Sequence, residues 1–219
     1  MSARWLGESL RFWLGSRRIF VEPNLARPLL MTPLPMKATA LLKQQHDEVG
    51  RLFKAIEAAD DAAKKRALFL DLASNLVGHD GIEREIFYPA CEAAMGLNDE
   101  LGEALVEHGV IEFCLYQANE ALGKDDFDFK VKVLKELVEH HVEEEEQEFF
   151  PKAEKALGDD SLELLTEEML EAFEDARERD FQEPLYENLR QVFAGALKPE
   201  PRESQPAQPT RQGKSRKSA

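Results

Sequence analysis

The 219-residue chain holds five histidines, His46, His79, His108, His140 and His141, and four of them form two equally spaced pairs. His46 to His108 is 62 positions, and so is His79 to His141. The same offset carries Glu83 onto Glu145, Phe87 onto Phe149, Pro89 onto Pro151, Glu92 onto Glu154 and Leu72 onto Leu134. So many coincidences at one ungapped offset mark a duplicated unit. Each copy reads His, then His-x-x-x-Glu beginning 33 positions later, then Pro six positions after the Glu. Imidazole and carboxylate in this combination suit iron, and less selectively zinc or manganese.

Such a set needs helices to aim it. Apolar residues recur at helical spacing over four segments. These are 37–58 (Leu42, Val49, Phe53, Ile56), 62–88 (Phe69, Leu72, Leu76, Ile86), 98–122 (Leu101, Leu105, Ile111, Leu115, Leu122) and 126–150 (Val131, Leu134, Val138, Phe149). Short connections predict an all-α, up-down four-helix bundle. Two further helices are expected, one capped near Asp159 with Leu162, Leu165, Met169 and Phe173 as its stripe, and one running from Pro184 through Leu185, Leu189, Val192 and Phe193.

Residues four apart share a helix face, so His79 projects with Glu83 and His141 with Glu145. All four positions, with His46 and His108, lie on the apolar stripes and should point into the bundle. Two carboxylates buried without partners would cost several kcal/mol or more. No Lys or Arg falls on the stripes nearby, so metal cations are the expected compensation. His140 has Gly78 as its repeat counterpart and is turned about 100° from His141, which puts it at the surface or behind the ligands. Glu143 and Glu146 are expected on the solvated faces, Phe149 in the core and Pro151 at the helix end.

Composition bounds the rest. The net charge is -15, with +3 over residues 1–35 (five Arg, two Glu) and +4 over 198–219 (six Lys/Arg, two Glu), leaving -22 for the middle. A surface so acidic argues against nucleic-acid binding at the bundle. Cys91 and Cys114 lack C-x-x-C spacing, consistent with a reducing, cytoplasmic setting. No apolar run is long enough to span a membrane.

The expected layout is an N-terminal extension and Pro-rich linker over 1–35, the bundle over 36–157, C-terminal helices over 158–197 and a disordered basic tail over 198–219. The Arg-rich start reads as a membrane-surface or partner-binding helix, a transit-like peptide, or translated sequence upstream of a start at Met31 or Met36. No nucleophile, phosphate loop or nucleotide motif is present.

Over residues 37–155 the chain resembles hemerythrin-like proteins, in particular the bacterial HHE cation-binding domain. The resemblance rests on "QQHDEV" at His46, "GHDGIEREIFYP" at His79 and Glu83, "VEHGVIE" at His108, and "HHVEEEEQEFFP" at His141 and Glu145. It implies a hemerythrin-like bundle around two iron ions in a non-haem di-iron centre. His46 and His79 would hold one iron, His108 and His141 the other, and Glu83 and Glu145 would bridge them.

Oxygen-carrying hemerythrins resemble this pattern but place His-x-x-x-His on the third helix and His-x-x-x-x-Asp on the fourth. Here those helices read His108-x-x-x-Glu112 and His141-x-x-x-Glu145, so a fifth histidine ligand is missing, which argues against reversible oxygen carriage. Glu112 is either an extra carboxylate ligand or an exposed acid, and Tyr116 either bonds the cluster or packs. Ferritin-like proteins use Glu-x-x-His pairs, and no acid stands three residues before any histidine here.

The implied function is a di-iron protein that senses or binds oxygen, nitric oxide or iron. The alternative is a di-iron enzyme acting on nitric oxide or peroxide, or an iron donor in repair of damaged iron-sulfur clusters.

Overall fold

The computed structural model describes residues 36–196, so the readings of 1–35 and of the basic tail lie outside the described residues. Among these the regular structure is all helical. The helices are α1 (Ala38–Glu57), α2 (Ala62–Ile82), α3 (Tyr88–Met95), α4 (Asp99–Glu120), α5 (Phe127–Glu144), α6 (Phe150–Leu157), α7 (Asp159–Arg177) and α8 (Gln182–Phe193). Asp61 caps α2 by accepting from the Lys64 amide, and Asn98 caps α4 by accepting from the Leu101 amide.

A single π-helical turn, Glu83–Phe87, joins α2 to α3 without a break, and a second, Glu145–Phe149, joins α5 to α6. The bundle therefore has four rods: α1, α2 with α3, α4, and α5 with α6. The expectation that Pro151 ends its helix is corrected, because the rod runs on to Leu157, as the equivalent rod runs past Pro89 to Met95.

Proline lacks an N–H and its ring crowds the carbonyl four residues back. Just ahead of each proline the helix widens, so that the Tyr88 amide bonds the Glu83 carbonyl and the Phe150 amide bonds the Glu145 carbonyl. The proline then enters at the first turn of a new α segment, where its missing N–H is tolerated. The two rods with π turns each stop at a glycine in a left-handed conformation, Gly96 (φ 79°, ψ 166°) or Gly158 (φ 75°, ψ 164°). The turns, prolines and glycines all repeat at the offset of 62.

Side chains divide the interior into two apolar clusters. One holds Val49, Phe53, Ile56, Phe69, Leu72, Leu115, Leu134 and Val138. The other holds Leu41, Leu42, Ile82, Phe87, Leu101, Leu105, Phe149 and Phe150. On every rod a histidine falls between the two sets: His46, His79, His108 and His141. A polar layer thus crosses the middle of a dry core. α7 packs on α2 and α1 and contributes Phe173, while α8 packs on α4 and contributes Leu185 and Leu189.

The backbone makes a contrast among glycines testable. Gly96→Ala and Gly158→Ala should each destabilise by about 1–3 kcal/mol, because only glycine adopts that conformation without strain. Gly50 lies inside α1, and a methyl group there would meet nothing within 4 Å beyond its chain neighbours and the helix's own backbone, so Gly50→Ala should stabilise by up to about 1 kcal/mol. Urea midpoints of the three variants measure both signs.

Candidate metal centre

The four histidines are 4–7% exposed, Glu83 is fully buried and Glu145 is 2% exposed. Their inner atoms converge. His46 Nε2 lies 3.2 Å from His79 Nε2, and His108 Nε2 lies 3.1 Å from His141 Nε2. Glu83 Oε2 stands 3.1 Å from His79 Nε2 and 3.3 Å from His108 Nε2, while Glu145 Oε2 stands 3.5 Å from both His46 and His141 Nε2. Each carboxylate therefore spans the two histidine pairs, touching one member of each.

The outward ring nitrogens are also held. His46 Nδ1 is 2.8 Å from Glu146 Oε1, His79 Nδ1 is 2.8 Å from Gln45 Oε1, His108 Nδ1 is 2.6 Å from Asp80 Oδ1, and His141 Nδ1 is 2.8 Å from Glu107 Oε2. Each partner is an oxygen acceptor, so each Nδ1–H donates outward and each Nε2 presents its lone pair inward. That tautomer is the one a metal ligand requires.

The fit to a cation rests on what the inner atoms lack. Both oxygens of Glu83 and Oε2 of Glu145 are buried without a hydrogen-bond donor. Unpaired buried carboxylates are costly by several kcal/mol each. Nitrogen and oxygen atoms roughly 3 Å apart can sit together at the usual ~2.1 Å from one cation. Two buried groups bring their ligand atoms within 4.8 Å of one another, His46–His79–Glu83–Glu145 and Glu83–His108–His141. The residues present thus suit two cations sharing Glu83.

Around the layer the structure revises several expectations. Arg84 is buried, contrary to the absence of a cation expected there, and its guanidinium donates to Asp80 (3.3 Å) and Glu112 (3.0 Å). Glu112 is buried, and its other oxygen accepts from Asn188 of α8 at 2.5 Å, so its carboxylate faces these two groups instead of the histidines. Glu146, expected on a solvated face, is half-buried against His46. Tyr116 packs edge-on to Tyr186 at 5.7 Å. His140 is exposed, near Glu107 and Glu144.

Tyr88 is a site residue that the sequence reading misses: its hydroxyl donates to Glu145 Oε1 at 2.8 Å and lies 2.9 Å from His108 Nε2. Its repeat counterpart, Phe150, stacks on His46 with ring centroids 5.9 Å apart. The two halves of the layer therefore differ chemically. The overlooked signal is Tyr88 following Glu83 by five residues, one π turn.

Electrostatics without a cation follow from this packing. Burial opposes charge on His46, but Glu145 and Glu146 outweigh it and push the imidazole up to about 9. Burial likewise opposes charge on His108, but Asp80 and Glu83 push it up to about 10. Glu83 is hindered by burial yet held well below the usual carboxylate range by His79 and His108. Burial and the Asp80 charge push Glu112 up to about 8, against Arg84 and Asn188. Burial and the Glu145 charge hold the Tyr88 phenol well above its ordinary value.

A cavity of about 30 Å³ borders all four histidines and is otherwise walled mainly by Val49, Leu76, Leu115 and Val138. One water needs roughly 10–15 Å³, so the space admits a molecule of two or three heavy atoms.

The model of the hemerythrin HHE cation binding domain matches residues 37–153, more than half of the chain. The chain belongs to that family. A similar solved structure is a hemerythrin HHE cation binding domain-containing protein, the Rv2633c homologue from Mycobacterium kansasii. It is 27% identical, with a TM-score of 0.58 over 74% of this chain and 97% of that one. A search of curated proteins gave no match. The all-α bundle and the cation-binding character of this hemerythrin-like domain are thereby established. Among the described residues no helix is long and apolar enough to cross a membrane.

The pH dependence of the metal-free domain has a defined sign. His46 and His108 are raised in the folded state, so their contribution is fully present below about pH 6.5 and is lost as pH rises through about 9 and 10. Urea midpoints of chelated protein should therefore fall between pH 7 and 10. Separately, Glu146→Gln should weaken cation binding by about 10–100-fold without changing stoichiometry, read by competition with a chelating dye.

Proposed function

We propose that the chain is a non-haem di-iron protein of the reducing cytoplasm that binds or senses oxygen, nitric oxide or a similar small molecule. The observation that carries this reading is the set of donorless carboxylate oxygens among four inward lone pairs, with every Nδ1 anchored from behind. His46 and His79 would hold one iron, His108 and His141 the other, with Glu83 and Glu145 between them. The irons would supply a redox-active Lewis acid to a ligand in the adjoining cavity.

The residues account for the rest. Gln45, Asp80, Glu107 and Glu146 orient the imidazoles and favour their metal-binding tautomer. The valine and leucine walls of the cavity exclude large or charged ligands, so selection is by size and polarity. Tyr88 donates its hydroxyl proton to Glu145 Oε1, oxygen to oxygen 2.8 Å, and keeps that proton beside the layer.

That phenol favours one second reading, turnover of peroxide or nitric oxide, because such chemistry consumes protons at the bound ligand. Catalytic cycling with an added reductant distinguishes it from binding alone, and Tyr88→Phe should slow cycling by about 10²–10⁴-fold if the phenol is the proton source.

Full-length protein reconstituted anaerobically with ferrous iron should bind two irons per chain, with optical bands that change on adding oxygen or nitric oxide. Fewer than one iron per chain would overturn the reading. Chelation from free metal a thousandfold above Kd should cost about 4 kcal/mol of stability per iron site, and His79→Ala should abolish most of the share that belongs to its own site.

A further inference from the structure

We propose that Glu107, His140 and Glu144 form a surface capture site for a divalent cation, at the mouth of an acidic passage leading to His141 and Glu145. The inference rests on the reading of the buried layer as a metal centre. His140 Nε2 lies 3.6 Å from Glu107 Oε1 and 3.4 Å from Glu144 Oε1, and the three residues together can offer ligand atoms to one ion. One histidine and two carboxylates make a partial coordination sphere that leaves several positions to water, suiting a site that takes up a hydrated cation and releases it.

What distinguishes this triad from an ordinary acidic surface is where it leads. It lies in an open groove along α4 and α5 that shares Glu103, Glu107 and Glu144 with a deeper cavity of about 40 Å³. That cavity is walled also by Glu148 and ends on His141 and Glu145. Glu145 is 2% exposed and its Oε2, without a hydrogen-bond donor, lies 3.5 Å from His141 Nε2, so the cavity's inner end borders an unpartnered carboxylate of the buried layer. Glu107 joins the two ends, since Oε1 faces His140 while Oε2 accepts from His141 Nδ1 at 2.8 Å. A cation drawn to the triad thus meets carboxylates along its whole path and loses water stepwise.

The test uses full-length metal-free protein and cobalt(II), whose d–d absorption reports coordination. His140→Ala with Glu144→Gln removes the triad and leaves Glu107 in place to hold His141. The double variant should load about tenfold or more slowly than wild type, in line with electrostatic focusing of on-rates by 10–10³, and reach the same final spectrum. Glu143→Gln, on α5 and outside the passage, should load at the wild-type rate. Equal loading rates for the double variant and wild type would overturn the capture site, as would an equal slowing by Glu143→Gln or an altered final spectrum. Wild type that binds no cobalt inside the bundle would instead overturn the metal-centre reading.

Discussion

Two carboxylates in a dry core set the terms for the whole domain. Glu83 and Glu145 sit where four rods meet, between one apolar cluster that runs from Val49 to Val138 and another that runs from Leu41 to Phe150. Neither cluster supplies a donor to the three bare oxygens, and Arg84 is engaged by Asp80 and Glu112. Compensation must come from the imidazoles, by proton or by cation. With protons alone the layer carries charge on His46 and His108. With cations each Nε2 lone pair is satisfied and three donorless oxygens find partners. The same six side chains thus serve both states, and proton and metal compete for them.

From each buried glutamate onward the helix geometry changes. A π turn adds one residue to the turn, so the partner on the same face is five residues on instead of four. Each π turn begins at a buried Glu, which brings the aromatic five residues later, Tyr88 or Phe150, alongside the layer. Duplication makes these arrangements equivalent in backbone, and substitution makes them different in chemistry. At the offset of 62, Tyr88 corresponds to Phe150 and Arg84 to Glu146. Glu146 holds His46 directly. In the other copy an arginine cannot accept from His108, so Asp80 takes that role and Arg84 neutralises Asp80.

These substitutions explain what was legible in the sequence. The offset of 62, the His-x-x-x-Glu spacing and the apolar stripes together point to the four rods, the inward histidines and the two buried glutamates, because all depend on regular α periodicity up to Glu83 and Glu145. Past the whole π turn each position is rotated by about 100° relative to an α-helical reading, so regular α periodicity turns Tyr88 away from the layer. Arg84 and Glu146 stand only one residue past Glu83 and Glu145, and what hides them is that their partners, Glu112 and His46, lie on other helices. Pro151 reads as a helix end because a proline following an α turn would stop the helix.

Asp80 and Asn188 are likewise hidden, through contacts between elements far apart in sequence. α8 approaches α4 at Gly109, where an added Cβ would meet Val192 at 3.2 Å, and α7 approaches α2 at Gly78, where it would meet Phe173 at 3.1 Å. Each glycine neighbours a histidine of the layer, so the small residue that admits the outer helix stands beside a ligand candidate. Asn188 then reaches both Asp80 Oδ2, at 3.1 Å, and Glu112 Oε1. Its amide completes the polar set behind His108 that Arg84 alone leaves half paired. The C-terminal helices are therefore part of the centre's electrostatic environment, although the family match ends at residue 153. A bundle cut off there would expose Asp80, Arg84 and Glu112 to water and loosen the hydrogen bond that orients His108.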